Sequence, residues 1–208
     1  MEKKRMAFTD FKSPAEVQTA YQITACEEHF LDIMPKAPSE RFLDNFKFTT
    51  AYFDVFSSEA SRCENVIYPL LLEASRHIVS DYSLWSHKSI VADATLSGTP
   101  DYIIASRSKL GKNVFGLPLV LVVEAKQNDF TEGWGQCLAE LVAAQKLNEQ
   151  PDYPVYGIVT DGELWQFGKL HETQFTQEVT RSTIDDIEKV FGSLYAVIQL
   201  VIKGASSN

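Results

Sequence analysis

Glu124 and Lys126 stand two residues apart at the end of an apolar run, LVLVVEAK over residues 119–126. Side chains alternate across a strand, so both charged groups leave the same face, roughly 7 Å apart along the chain. Val120 and Val122 precede them on that face. Opposite charges closing an apolar strand are costly to desolvate unless something pairs with them. A cation together with a phosphate would do so. Asp101 opens a second run, DYIIAS over 101–106, directly after Pro100. If these strands pair as an antiparallel hairpin, the start of the first lies beside the end of the second. Asp101 then falls next to Glu124 and Lys126, and two carboxylates and an ammonium converge at one edge of a sheet. Hard oxygen donors suit Mg2+, with Mn2+ as the second choice. Asp101 and Glu124, with the Ala125 carbonyl between, form a candidate ligand set. Such an ion acidifies a bound water and offsets phosphate charge. Lys126 would orient or deprotonate that water, or stabilise the charge of the transition state.

The elements that must position these groups are legible as changes of hydrophobic period. Ser13-Pro14-Ala15-Glu16 is a helix start and predicts a helix to about Phe30. Pro35 and Pro38 interrupt, and a second helical segment is expected over 39–56. Ala60, Cys63, Val66, Ile67, Leu70, Leu71 and Ala74 recur at helical spacing within 57–77, with Pro69 expected to kink or end that helix locally. Strands follow over 84–94, 101–106 and 119–126, the last apolar enough to be buried on both faces. A helix over 131–148 carries Trp134, Leu138, Leu141 and Val142. Residues 155–160 and 163–170 flank Asp161-Gly162, a hairpin signal. Residues 175–180 are a candidate edge strand. Thr183 is expected to cap a last amphipathic helix reaching about Lys203, which leaves residues 204–208 as a loose tail. The order predicts an α/β or α+β architecture, a mixed sheet with helices on its faces.

Composition narrows the function classes. The 208 residues are 45% hydrophobic and 23% charged, enough for one packed unit. The net charge of −9 argues against a protein that coats nucleic acid by bulk attraction, while leaving room for a local basic groove. Cys26, Cys63 and Cys137 show no metal or disulfide spacing, so reduced thiols of a cytoplasmic protein are expected. The apolar runs are shorter than the ~20 residues a membrane-spanning helix needs, and MEKKRMAFTDFK lacks the apolar stretch of a secretion signal. His77, His87 and His171 have no partner spacing and receive no role.

Pro100-Asp101 followed by Glu124-Ala125-Lys126 resembles the signature of the PD-(D/E)xK nuclease superfamily. The order of elements resembles that superfamily's core of helix, three strands, helix and strand, over roughly residues 57–170. Many members take a further Glu from the first core helix. Glu59 and Glu64 are the candidates, and Glu59 shares a face with Cys63, Val66 and Leu70. Residues 59–70 also look like the N-terminal nuclease region of type I restriction enzyme motor subunits. The hairpin around Thr160-Asp161-Gly162 looks like the strand pair that follows the core there. In the helix after the ExK strand, many members place a Gln that helps position the site. Gln136 matches it. Where some relatives have Tyr after that Gln, this chain has Glu140.

Each residue also has an ordinary reading. Glu124 and Lys126 would be a solvated ion pair at a strand end, Asp101 a turn residue after Pro, Glu59 an acid favoured by the helix dipole, and Gln136 a surface residue. The apolar run ahead of Glu124 and the order of elements favour the site. The expected fold is therefore a restriction-endonuclease-like core. Residues 1–56 form an N-terminal helical extension packed on it, and residues 57–208 the nuclease-like domain with a C-terminal helix. The expected function is metal-dependent hydrolysis of phosphodiester bonds. DNA as substrate is implied by the resemblance, not by composition. The rival is a catalytically silent module of the same fold that binds nucleic acid or a protein partner. A homodimer is compatible with double-strand cleavage, and no membrane association is expected.

Overall fold

The computed structural model describes residues 7–93 and 96–206. The expected strand end at Ala94 and the last tail residues, 207–208, lie outside them. A 3-10 turn (Phe8–Asp10) leads into α1 (Pro14–Tyr21), β1 (Thr24–Glu28) and α2 (Glu40–Tyr52). Next come α3 (Glu59–Arg62), a π-helical turn (Cys63–Ile67) and α4 (Tyr68–Ser75). Four strands follow: β2 (Tyr82–Ser86), β3 (Ile90–Asp93), β4 (Leu96–Gly98) and β5 (Tyr102–Arg107). Then come β6 (Phe115–Ala125) and α5 (Phe130–Asn148). The chain closes with β7 (Val155–Thr160), β8 (Leu164–His171), β9 (Gln174–Glu178), β10 (Ser182–Thr183) and α6 (Ile187–Ser206).

Among the described residues, eight strands form one sheet in the order β1-β9-β8-β7-β6-β5-β2, with β10 pairing the start of β8. Pairing is antiparallel except at β6–β7 and β1–β9. Strands β3 and β4 make a separate small hairpin. The architecture is a mixed α/β sandwich. One face of the sheet is covered by α4 and α6, whose Leu70, Leu71, Phe191 and Val197 pack with Val120 and Val123. The other is covered by α5 and the amino-terminal segment, with Phe8, Phe11, Leu138 and Leu141 packed against Ile103 and Val122.

Several expectations are corrected. The first helix ends at Tyr21, not near Phe30, because Gln22 turns left-handed (φ 56°). The following TACEE segment then becomes β1, which adds to the sheet outside β9. Residues 1–56 are thus not wholly helical, and β9 is not an edge strand. Its propensities did not announce β1; its partner's open edge makes it a strand. The expected strand over 84–94 is two strands, broken at His87, whose φ is 47°. Thr183 lies in β10, and Asp186 caps α6 instead by accepting from the Lys189 N–H. That helix continues to Ser206.

Pro69 does not break its helix. The Tyr68 N–H bonds the Cys63 carbonyl, five residues back. This wider spacing lets residue 65 seek a donor beyond Pro69, which has no N–H to give.

Strand β6 carries a bulge. Its pairing with β5 steps from Leu121 to Leu119 opposite adjacent residues Ile104 and Ala105. Val120 therefore packs in the α4–α6 cluster and Leu119 in the α5 cluster, so Val120 does not share the Glu124 face as its spacing suggested. Asn148, the last residue of α5, clamps the bulge. Its Oδ1 accepts from Leu119 N–H at 2.7 Å and its Nδ2 donates to Leu119 O at 2.8 Å. Asn148→Ala leaves both buried backbone groups unpaired and is expected to cost about 2–4 kcal/mol in urea denaturation. A cost below ~0.5 kcal/mol would mean that water replaces the clamp.

Candidate active site

The β5–β6 register pairs Tyr102 with Val123, which carries Asp101 to a position opposite Glu124. The Ala125 N–H donates to Asp101 Oδ2 at 2.8 Å, so the turn residue after Pro100 is fixed to the end of β6. The next residue is fixed from the other side, where the Lys126 N–H donates to the Thr160 carbonyl at the end of β7 (2.9 Å). Neighbouring residues of a strand present their backbone groups to opposite edges. The side chains of Glu124 and Lys126 share one face, with Lys126 Nζ 3.4 Å from Glu124 Oε1.

Two cavities adjoin here. One, of about 380 Å3, is lined by Asp101, Glu124, Lys126, Glu59, Gln136 and Glu140, with Phe8 and Gly98 at its rim. The other, of about 470 Å3, shares Glu59 and Asp101 and continues past Tyr68, His87 and Tyr102. Of the two helix carboxylates left open by the sequence, Glu59 borders both cavities. Glu64 borders the second but not the one holding Glu124 and Lys126. Gln136 and Glu140 come from α5, one turn apart. They are buried because α5 is wedged between the sheet and the amino-terminal segment. Asp129 caps that helix through the Glu132 N–H.

Gly133 sets how closely α5 approaches Lys126. A Cβ there would lie 2.6 Å from Val159 Cγ1 and 3.1 Å from Lys126 Cγ. Gly133→Ala gains about 1 kcal/mol of helix propensity but is expected to be destabilised by about 1–2 kcal/mol net in thermal melts, because the packed neighbours must shift. A stabilised variant would show that the contact is loose.

The electrostatics of the pocket are those of crowded acids. Burial pushes the Glu124 carboxyl up to about 8, with the negative charge of Asp101 adding to it and Lys126 opposing. Burial also holds Asp101 above the ordinary carboxylate range, although the Ala125 N–H works against it. Glu140 is raised well above that range by burial, then by Glu124 and Asp101. For Lys126, desolvation disfavours the charge, but Glu124 and Glu59 outweigh it and the ammonium is held more tightly than usual.

The structure therefore brings Asp101, Glu124, Lys126, Glu59 and Gln136 to one cavity. Among the described residues, no three carboxylate, histidine or cysteine side chains are drawn to a common point as a closed ligand set. The available donors are carboxylates, an amide and backbone carbonyls, the hard oxygens that Mg2+ or Mn2+ accepts. Two residues at the site carried no assigned role. Glu140 stands out in the sequence as a departure from Tyr, four residues after Gln136 and so on the same side of the helix. His87 carried no signal; its backbone N–H bonds the Asp101 carbonyl and its Nδ1 lies 3.6 Å from Asp101 Oδ1. Among the described residues, no helix is long and apolar enough to cross a membrane.

No family model matches the chain, and no curated protein matches it. Among solved structures it is similar to the cryo-EM structure of a DrdV–DNA complex, with 17% sequence identity and a TM-score of 0.44. The likeness covers 76% of this chain and 13% of that chain, so this chain spans a small part of the length of the protein it is compared with.

Proposed function

We propose that this chain is a divalent-metal-dependent phosphodiesterase of the PD-(D/E)xK kind that cleaves DNA by water attack on phosphorus. Its core would be restriction-endonuclease-like, built from α3–α4, β2, β5, β6, α5 and β7. The observation that carries this reading is the gathering of Asp101, Glu124 and Lys126 about one cavity where β5 begins and β6 ends. DNA as the substrate rests on the resemblance of the Pro100-Asp101 and Glu124-Ala125-Lys126 pattern.

Asp101 and Glu124, with the Ala125 carbonyl, would hold Mg2+ or Mn2+. When bound, the ion supplies charge neutralisation at the phosphate and acidifies water. The chain's own groups do the rest. The Ala125 N–H holds the Asp101 carboxylate in place. Lys126 is anchored through its backbone to Thr160 and presents its ammonium to a phosphoryl oxygen or to the attacking water. Glu59, from α3, keeps that ammonium charged. Gln136 lines the same cavity as Glu124 and would help to position the site.

The test is cleavage of supercoiled plasmid and of single-stranded DNA with Mg2+ or Mn2+, comparing wild type with Asp101→Asn and Glu124→Gln. Metal-dependent cleavage that both substitutions remove is the expected result. No cleavage, or equal cleavage by all three, would mean that the fold serves as a catalytically silent binding module. The net charge of −9 would then point to a protein partner.

A further inference from the structure

One wall of the cavity that holds Glu124 is made by α5, and it carries two buried side-chain oxygens without partners. Glu140 and Gln136 are only 2% and 1% exposed. Each presents a buried side-chain oxygen, Glu140 Oε2 and Gln136 Oε1, with no hydrogen-bond donor in reach. Both side chains line the cavity that holds Glu124 and Asp101, and the Glu140 carboxyl meets that of Glu124. Lys126 reaches Glu124 but supplies a proton to neither orphaned oxygen. Buried polar atoms are almost always paired, and a buried carboxylate needs a counter-charge. A phosphate cannot fill this need, since it too brings acceptors. Two orphaned oxygens on the wall beside Glu124 suit a small cation; without one, the Glu140 and Glu124 carboxyls that meet there must share a proton.

We propose that Glu140 and Gln136, sharing Glu124, form a second cation position on the α5 wall, distinct from the one given to Asp101, Glu124 and the Ala125 carbonyl. It takes a hard divalent ion, Mg2+ or Mn2+. The proposal rests on the reading of Glu124 as a metal ligand. Each position then offers two carboxylates and one neutral oxygen, a set that Mg2+ completes with water. Glu124 would serve both, which accounts for a fourth carboxyl in a cavity that already holds Asp101, Glu124 and Glu59. Glu140 would then be a metal-site residue, where a Tyr in its place would leave only one position.

The experiment is a Mn2+ titration of the full chain, reading free Mn2+ by electron paramagnetic resonance, with thermal melting in parallel. Wild type, Glu140→Gln, Gln136→Met and Asp101→Asn are compared. Wild type should take two ions. Glu140→Gln and Asp101→Asn should each take one, and Gln136→Met should bind one ion about tenfold more weakly. Without metal, Glu140→Gln should melt above wild type, while its Mn2+-induced rise should be smaller. A purely structural Glu140 would shift the metal-free melting point and leave that rise unchanged. Two ions in both wild type and Glu140→Gln would overturn the second position and leave the proposed function standing. One ion in wild type, kept by Glu140→Gln and lost in Asp101→Asn, would do the same. One ion lost in Glu140→Gln but kept in Asp101→Asn would instead remove the Asp101 assignment and sustain the α5 wall. One ion lost in both would merge the two positions into one and overturn the proposal. No ion bound by wild type would overturn both readings.

Discussion

Stripped of divalent cations, the protein is expected to lose stability as the pH is raised from about 5 to about 8, a direction opposite to ordinary acid denaturation. The Glu124 carboxyl is pushed by burial from 4.5 to about 8 in the fold. Below 4.5 it is protonated in both folded and unfolded chains, and its contribution is fully present. Above 4.5 the unfolded chain ionises freely, while the folded chain must either hold the proton or bear a buried charge. Stability therefore falls through this window and is lost as the pH passes about 8. At ~1.4 kcal/mol per pKa unit, the effect is on the order of a few kcal/mol. Asp101 and Glu140, both raised by burial, act in the same direction. Glu178 is lowered overall; burial opposes this, but the Thr180, Leu31 and Phe30 N–H groups outweigh it. Its contribution is present above 4.5 and lost only as the pH falls further, outside the window. Thermal melts in chelator across this range should slope downward for wild type. For Glu124→Gln, which removes the buried acid, they should be flatter, and Mg2+ should restore the high-pH melting point by binding only the folded state. A wild-type curve that rises with pH, or an unchanged slope in Glu124→Gln, would show that Glu124 is not held as a buried acid.

The parts of this site legible in the sequence are those that depend on strand alternation. Glu124 and Lys126 share a face because they are two apart, and Asp101 reaches them because a short antiparallel pair returns the chain to its start. The mixed sheet with helices on both faces follows from apolar runs alternating with helical periods. What the sequence could not reveal depends on pairing at a distance. TACEE becomes β1 only because β9 offers it an edge. The bulge that turns Val120 away from Glu124 is held by Asn148, at the far end of the next helix. The burial of Gln136 and Glu140 depends on Phe8 and Phe11, more than a hundred residues earlier, closing over α5. A polar pair on a helix reads as a solvated face until the segment that covers it is known.

Lys126→Ala is expected to separate metal binding from chemistry more sharply than any substitution of a carboxylate. Its ammonium is the positive charge beside Glu124, 3.4 Å away, and it is not itself a metal ligand. Removing it leaves the oxygen donors in place and makes their surroundings more negative, so Mn2+ affinity should hold or rise. Cleavage should fall by about 10²–10³-fold, the usual consequence of losing a group that meets charge developing in the transition state. The fold should tolerate the change. Lys126 is partly exposed, and its backbone bond to Thr160 does not involve the side chain. Lys126→Arg tests the point from the other side. It keeps the charge, but replaces a compact ammonium with a planar fork of donors, where Gly133 leaves space for a lysine stem and little more. It should keep stability and metal affinity near those of wild type but recover only part of the rate. Wild-type cleavage by Lys126→Ala would mean that the lysine merely neutralises Glu124. A parallel loss of Mn2+ binding and cleavage would mean that Lys126 organises the metal site, with no separate part in the chemical step.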